Sequence, residues 1–244
     1  MSRISNEEKA REREFERKMS MRRRKAKGQH KTEEQAQLAR REHGLSSYDA
    51  FFETYLADEW NGYTPSAWYH RKFVDAFLHG EKEWYVLEWY VSAGKSTAFK
   101  ALILYALALG HKPRLLFVSA TAIQAVDLIN PIREQIKHNQ LLQADFALYV
   151  KSHVDSANHF ELTNGATFWA KAKDESFLGL VNSENARPTD IAIDDYDTED
   201  SVKNPNRLDK DWKLLTEKIY GRLGTMETKS GKQIPGRMWI IGNP

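Results

Sequence analysis

Six residues, Ser92-Ala93-Gly94-Lys95-Ser96-Thr97, stand between an apolar-aromatic run, Trp84-Tyr85-Val86-Leu87, and a helix-forming run, Ala98 to Leu109. This order of strand, tight loop and helix constrains the fold more than any other stretch. Backbone N–H groups at a helix start lack intrahelical partners, and the helix dipole there favours negative charge. A lysine after the glycine and a hydroxyl after the lysine are the groups that neutralise phosphate oxygens and hold Mg²⁺. Lys95 is thus a candidate for the β- and γ-phosphates of a nucleotide, and Ser96 for the metal. Ser92, Ala93, Gly94 and Thr97 would line the phosphates with backbone. One position departs from the full pattern: Trp89 stands where a glycine is expected, five residues before Gly94. The same residues also read as an ordinary helix start.

The rest of the chain supports an α/β reading. Arg114–Ser119 reads as a buried strand, Thr121–His138 as a helix with a kink or break at Pro131, and Asp190–Ile193 as a short buried strand. Asn164-Gly165 between two β-prone runs signals a hairpin. Leu208–Tyr220 reads as a helix and Met238–Ile241 as a final strand. Strands alternating with helices argue for a mainly parallel sheet covered on both faces. Ahead of the loop, residues 45–80 form a helical lead-in. Leu45, Tyr48, Phe51, Phe52, Tyr55, Leu56 and Trp60 recur at helical spacing, and a second helix turns Trp68, Phe73, Val74 and Phe77 inward. Gln124, just after a buried strand, is a candidate DNA or partner contact; helix surface explains it better.

Charge is divided unevenly. Residues 1–44 carry 14 Lys/Arg against 8 Asp/Glu, and the remaining residues carry 22 against 26. The first segment is helix-prone but has no sustained apolar stripe. Its cluster Arg22, Arg23, Arg24 and Lys25 is a candidate contact for DNA phosphates or an acidic partner, and reads equally as a solvated tail. The chain has no cysteine, which excludes disulfides, thiol catalysis and cysteine-ligated zinc. No apolar run approaches the roughly 20 residues of a membrane span, and no secretory signal opens the chain. The organisation expected is a basic extension over 1–44 and a P-loop domain over 45–244, with its core at 81–244.

Ile191-Ala192-Ile193-Asp194-Asp195 supplies the second half of a nucleotide site. The apolar residues bury the strand, and the carboxylates emerge at its C-terminal edge, where ligands bind in open α/β sheets. Asp194 would orient the Mg²⁺ shell, since Mg²⁺ uses a few carboxylates plus phosphate oxygens. Asp195 or Glu199 would position the attacking water. The strand at 115–119 is expected to separate the loop strand from the acidic strand, an arrangement of RecA-like (ASCE) P-loop ATPases.

Together these motifs resemble the large terminase subunit of tailed bacteriophages. Leu87-Glu88 leads into Ala93–Thr97. Arg187-Pro188-Thr189-Asp190 leads into the acidic strand. Asp197–Val202 and Asn204–Arg207 follow, and Trp239-Ile240-Ile241-Gly242-Asn243-Pro244 is similar to the coupling motif. The likeness covers about residues 63–244. It implies an ATPase that translocates double-stranded DNA into a procapsid, with Gly242 and Asn243 sensing the γ-phosphate. It also implies a homo-oligomeric ring (a pentamer), portal protein and small terminase subunit as partners, and the host cytoplasm as location, with transient residence on the portal vertex. The family's adenine-binding region falls on Tyr63, Trp68 and Arg71. The family's nuclease domain follows the coupling motif, so none is expected in this chain. The family's loop arginine is replaced by Val91. Arg187, Arg207 and Arg222 are candidate fingers acting on a neighbouring subunit. A superfamily-two helicase motor, or a nucleotide-gated DNA- or portal-binding module with little turnover, fits many of the same residues.

Overall fold

The computed structural model describes residues 32–58, 60, 66–90, 92–196, 204–227 and 231–242. The chain divides into two compact units, Met1–His43 and Gly44–Pro244. In the first, residues 32–43 are helical (α1). No helix among the described residues is long and apolar enough to cross a membrane.

The second unit is built on a seven-stranded sheet. Its elements in order are α2 (Tyr48–Tyr55), α3 (Trp68–His79), β1 (Trp84–Glu88), α4 (Lys95–Ala108), β2 (Arg114–Ser119), α5 (Ala122–His138) and α6 (Gln140–Phe146). Then come β3 (Val150–Asp155), β4 (His159–Leu162), β5 (Thr167–Ala172), β6 (Asp190–Asp194) and α7 (Pro205–Lys213). A π-helical turn at Leu214–Ile219 and a 3-10 turn at Tyr220–Arg222 continue α7. A small antiparallel pair, β7 (Thr225–Glu227) and β8 (Gln233–Pro235), precedes β9 (Arg237–Gly242).

The strand order is β1-β9-β6-β2-β5-β4-β3. The first five run parallel; β4 and β3 extend the sheet antiparallel, and β4–β5 is the hairpin that Asn164-Gly165 signals. This corrects one expectation: β9, not β2, separates the loop strand from the acidic strand. Trp239 pairs with Tyr85 on one side and Ala192 on the other. Apolar runs identify buried strands but not their lateral order, so sequence adjacency placed the wrong strand there.

Period-2 alternation divides the strands between two cores. Leu115, Phe117, Ala192 and Trp239 face a core with α2 to α6. Leu116, Val118, Ile191, Ile193 and Met238 face a second core with Leu215 and Ile219 of the π-turn. Burial on both faces is why these strands read as continuous apolar runs. Helix α4 is apolar all round because it is enclosed: Phe99 and every residue from Ala101 to Leu107 are buried.

Several local readings are revised. Trp68 is 65% exposed instead of inward, while Phe73 and Phe77 are buried. Ser47 caps α2 by accepting from Ala50 N, so Leu45 lies outside that helix. Helix α5 runs unbroken through Pro131, because Ala125, Ile129, Ile132 and Ile136 anchor it on both sides of the proline. Gln124 is a cap: its Oε1 accepts from Thr121 N at 3.1 Å and Thr121 Oγ1 at 2.8 Å, and Thr121 Oγ1 accepts from Gln124 N. Gln124→Ala is expected to lower stability by about 1 kcal/mol in a urea melt.

Candidate nucleotide site

β1 ends at Glu88 and α4 begins at Lys95. The chain turns between them through two left-handed residues, Ser92 (φ 67°) and Gly94 (φ 73°). A Cβ on Gly94 would meet nothing within 4 Å, so the conformation, not crowding, calls for glycine. The first bond of α4 is Ala98 N to Gly94 O, which leaves the N–H groups of Lys95, Ser96 and Thr97 without helical acceptors. Such a terminus is suited to phosphate.

β6 brings the acidic residues to the same edge of the sheet. Ser96 Oγ donates to Asp194 Oδ2 at 3.4 Å across 98 positions of sequence. This serine hydroxyl and this carboxylate are hard oxygen donors, which is the chemistry Mg²⁺ prefers. They fit the metal, with remaining positions left for phosphate oxygens and water. No cluster of three or more His, Asp or Glu that could enclose a metal occurs among the described residues.

Asp194 is only 7% exposed. Burial, and then the charge of Asp195, push its carboxyl up to about 6, against the pull of the Ser96 hydrogen bond and the Lys95 charge. Between about pH 4 and 6 the folded chain therefore holds a proton that the unfolded chain, at its ordinary value of 3.8, has released. Stability of the nucleotide-free protein should fall as pH rises through that window and level off above it. Asp194→Asn is expected to remove this slope and to stabilise the nucleotide-free protein at pH 7 by about 2–3 kcal/mol, read as urea midpoints at pH 4, 5 and 7. A cation bound there offsets the same penalty.

Asp195 is exposed and left-handed (φ 48°), and its carbonyl accepts from Ala120 N, tying the ends of β6 and β2. A non-glycine residue held in this region is uncommon and clusters at functional sites. Lys95 Nζ donates to Trp89 O at 2.9 Å and Tyr90 O at 3.4 Å. Gly242 pairs with Glu88, and Ile241 with Asp194, so the end of β9 lies between the loop strand and the acidic strand.

Other sequence candidates are dispersed. Trp68 lines a groove of about 820 Å³ with Tyr69, Lys72, Glu88, Trp89 and Tyr90. Arg71 does not line it; it faces Asp49 at 3.8 Å and is 64% exposed. Arg187 and Arg222 lie at the opposite edge of the sheet. Arg187 O accepts from Arg114 Nε at the start of β2, and Arg222 is two residues from Gly224, whose N–H donates to Pro188 O. The length of β6, roughly 13 Å or more, separates that edge from Asp194, so neither serves the site of its own chain. Arg207 is exposed on α7. Tyr63, Val91, Glu199, Asn243 and the cluster Arg22, Arg23, Arg24 and Lys25 lie outside the described residues.

The sequence reading missed residues that hold the loop from α3. Tyr69 Oη and Tyr90 Oη are 3.0 Å apart, the Tyr69 and His70 rings each lie 5.0 Å from Trp89, and His70 Nε2 is 3.0 Å from Ala93 O. It also missed Lys100, which burial pulls below the ordinary lysine value while Asp194 and Asp127 favour its charge.

No family model matches the chain, and no curated protein matches it. Among solved structures, the crystal structure of the HK97 bacteriophage large terminase aligns with a TM-score of 0.51 at 13% sequence identity. The alignment covers 81% of this chain and 37% of that one. The fold is terminase-like: a mostly parallel mixed sheet flanked by helices.

Proposed function

We propose that this terminase-like chain binds Mg²⁺ and ATP at the junction of β1, α4 and β6, and hydrolyses ATP to move double-stranded DNA into a procapsid. The observation that carries the reading is Ser96 Oγ at 3.4 Å from Asp194 Oδ2, at the N-terminus of a helix opened by Gly94-Lys95. A likeness of fold to a phage large terminase supports the packaging context.

The phosphates lie against the N–H groups of the first turn of α4, which have no acceptors within the helix. Lys95 exchanges the Trp89 and Tyr90 carbonyls for the β- and γ-phosphates. Ser96 and Asp194 hold the cation, which supplies positive charge to the phosphate oxygens when bound. Asp195 or Glu199 orients a water; its oxygen bonds to the γ-phosphorus as the bond to the bridging oxygen breaks, and the carboxylate takes the water proton. The chemistry is positioning and charge stabilisation. Gly242, and beyond it Asn243, reports loss of the γ-phosphate along β9. Arg207, Arg187 or Arg222 of another copy completes the site in a ring, since an arginine supplied in trans can stabilise the charge of the transition state. Portal protein and the small terminase subunit are the proposed partners, and the host cytoplasm the proposed location. The grip on DNA is phosphate-based and salt-sensitive.

Phosphate release measured over a range of protein concentrations, with and without double-stranded DNA, tests this. Turnover per chain should rise with concentration and with DNA, and Asp195→Asn should lower it. Absence of turnover at every concentration, with or without DNA, would leave a nucleotide-gated binding module as the better reading.

A further inference from the structure

Among the side chains of α3 that touch the nucleotide loop, His70 has both ring nitrogens in defined hydrogen bonds. His70 sits in the first turn of α3, and its Nδ1 accepts from Ala67 N at 3.1 Å. A ring nitrogen that accepts an N–H carries no proton. The other nitrogen, Nε2, is 3.0 Å from Ala93 O, an acceptor, so it must donate. These two partners fix one neutral tautomer, protonated on Nε2. The ring is also wedged edge-on against Trp89, with centroids 5.0 Å apart at 74°.

Ala93 is the residue before Gly94, and it is 6% exposed. In a trans peptide the C=O of one residue and the N–H of the next point in opposite directions. A hydrogen bond that pins Ala93 O toward α3 therefore aims the Gly94 N–H away from α3. Glycine at 94 leaves this peptide little intrinsic preference against flipping, and a flip would present a carbonyl oxygen where an N–H had been. The aromatic contacts act at the other end of the same loop. Tyr69 touches both Trp89 and the Tyr90 hydroxyl, and the carbonyls of Trp89 and Tyr90 hold the Lys95 amine.

We propose that His70 is a positioning residue of the phosphate-binding loop: by donating from Nε2 to Ala93 O it orients the Ala93–Gly94 peptide so that the Gly94 N–H faces the phosphates. This rests on the nucleotide reading above. The ligand part it serves is the polyphosphate, not the base. It does for the loop, from a neighbouring helix, part of what the glycine replaced by Trp89 would do within it.

The test is calorimetric titration of the full chain with Mg·ATP and, separately, with Mg·tripolyphosphate, which has no base. His70→Ala should weaken both by about tenfold, the worth of one well-placed hydrogen bond plus the freed peptide. His70→Gln, whose amide offers an acceptor and a donor, should bind both ligands within about threefold of wild type. Equal affinity of His70→Ala and wild type for both ligands overturns the proposal. So does a loss confined to ATP, which would place His70 at the base, or a His70→Gln as weak as His70→Ala. If His70→Ala does not fold, the ring nitrogens of wild-type His70, assigned by NMR against His70→Gln, decide. A proton on Nε2 whose signal shifts on adding Mg·tripolyphosphate supports the role, and a proton on Nδ1, or no shift, overturns it. Wild type that binds neither ligand contradicts the nucleotide reading itself, a different result from any of these.

Discussion

Lys95→Ala is expected to cut ATP turnover by about 10²–10³-fold, the usual scale for removing one group that stabilises charge in a transition state. Lys95 follows the left-handed Gly94, in the first turn of a helix whose leading N–H groups are free of helical acceptors. The loop sequence Trp89–Thr97 contains no other Lys or Arg. The fold should survive. The amine's bonds to the Trp89 and Tyr90 carbonyls are worth about 1 kcal/mol net, and Tyr90 is exposed. Phosphate release and a urea melt on the same preparation separate the two effects. Lys95→Arg should restore little, because a planar guanidinium does not replace a compact ammonium.

The largest effect on stability is expected at the other end of the sheet. Asp190 and Arg237 are 2% and 4% exposed. Arg237 Nε donates to Asp190 Oδ1 at 2.8 Å, and Nη1 donates to Phe77 O at 2.6 Å. Trp239 Nε1 donates to Asp190 Oδ1 at 3.0 Å, and Thr189 Oγ1 to Oδ2 at 3.0 Å. One buried pair thus fastens β6, β9 and the C-terminal end of α3. Arg237→Ala leaves a buried carboxylate without its cation and should cost about 3–5 kcal/mol. Asp190→Asn combined with Arg237→Met removes both charges and should recover more than half of that, since no buried charge is then left without its partner. Urea midpoints with unchanged slopes are the measure.

Much of this fold is legible in the sequence because buried parallel strands carry continuous apolar runs. Leu115 to Val118 and Ile191 to Ile193 show it directly. The lateral place of β9 is not legible, since periodicity reports burial and not neighbours. Strand β3 is also missed: Val150–Asp155 is half exposed and carries Lys, Ser and His, so it has no apolar run. The π-turn at Leu214–Ile219 continues the helical pattern and cannot be told from α-helix by spacing. In the candidate site, Gly94-Lys95-Ser96 and Asp194 are legible because each residue type has a direct chemical reason to be there. The clasp of Tyr69 and His70 is not, because it depends on how α3 packs against the loop after Glu88. Only the position of His70, three residues beyond Ala67 where a side chain can reach back to a free N–H, hinted at it.

The account turns on Ser96 and Asp194 jointly holding a divalent cation with ATP. Mn²⁺ takes the same octahedral oxygen set as Mg²⁺, and its free-ion EPR signal disappears on binding. Titrating Mn²⁺ into the chain in the presence of ATP should deplete that signal by one ion per chain beyond the ATP-only control. Ser96→Ala should weaken the uptake, and Asp194→Asn should abolish it. Uptake in Asp194→Asn equal to wild type, or no uptake beyond the ATP control in wild type, would contradict the account.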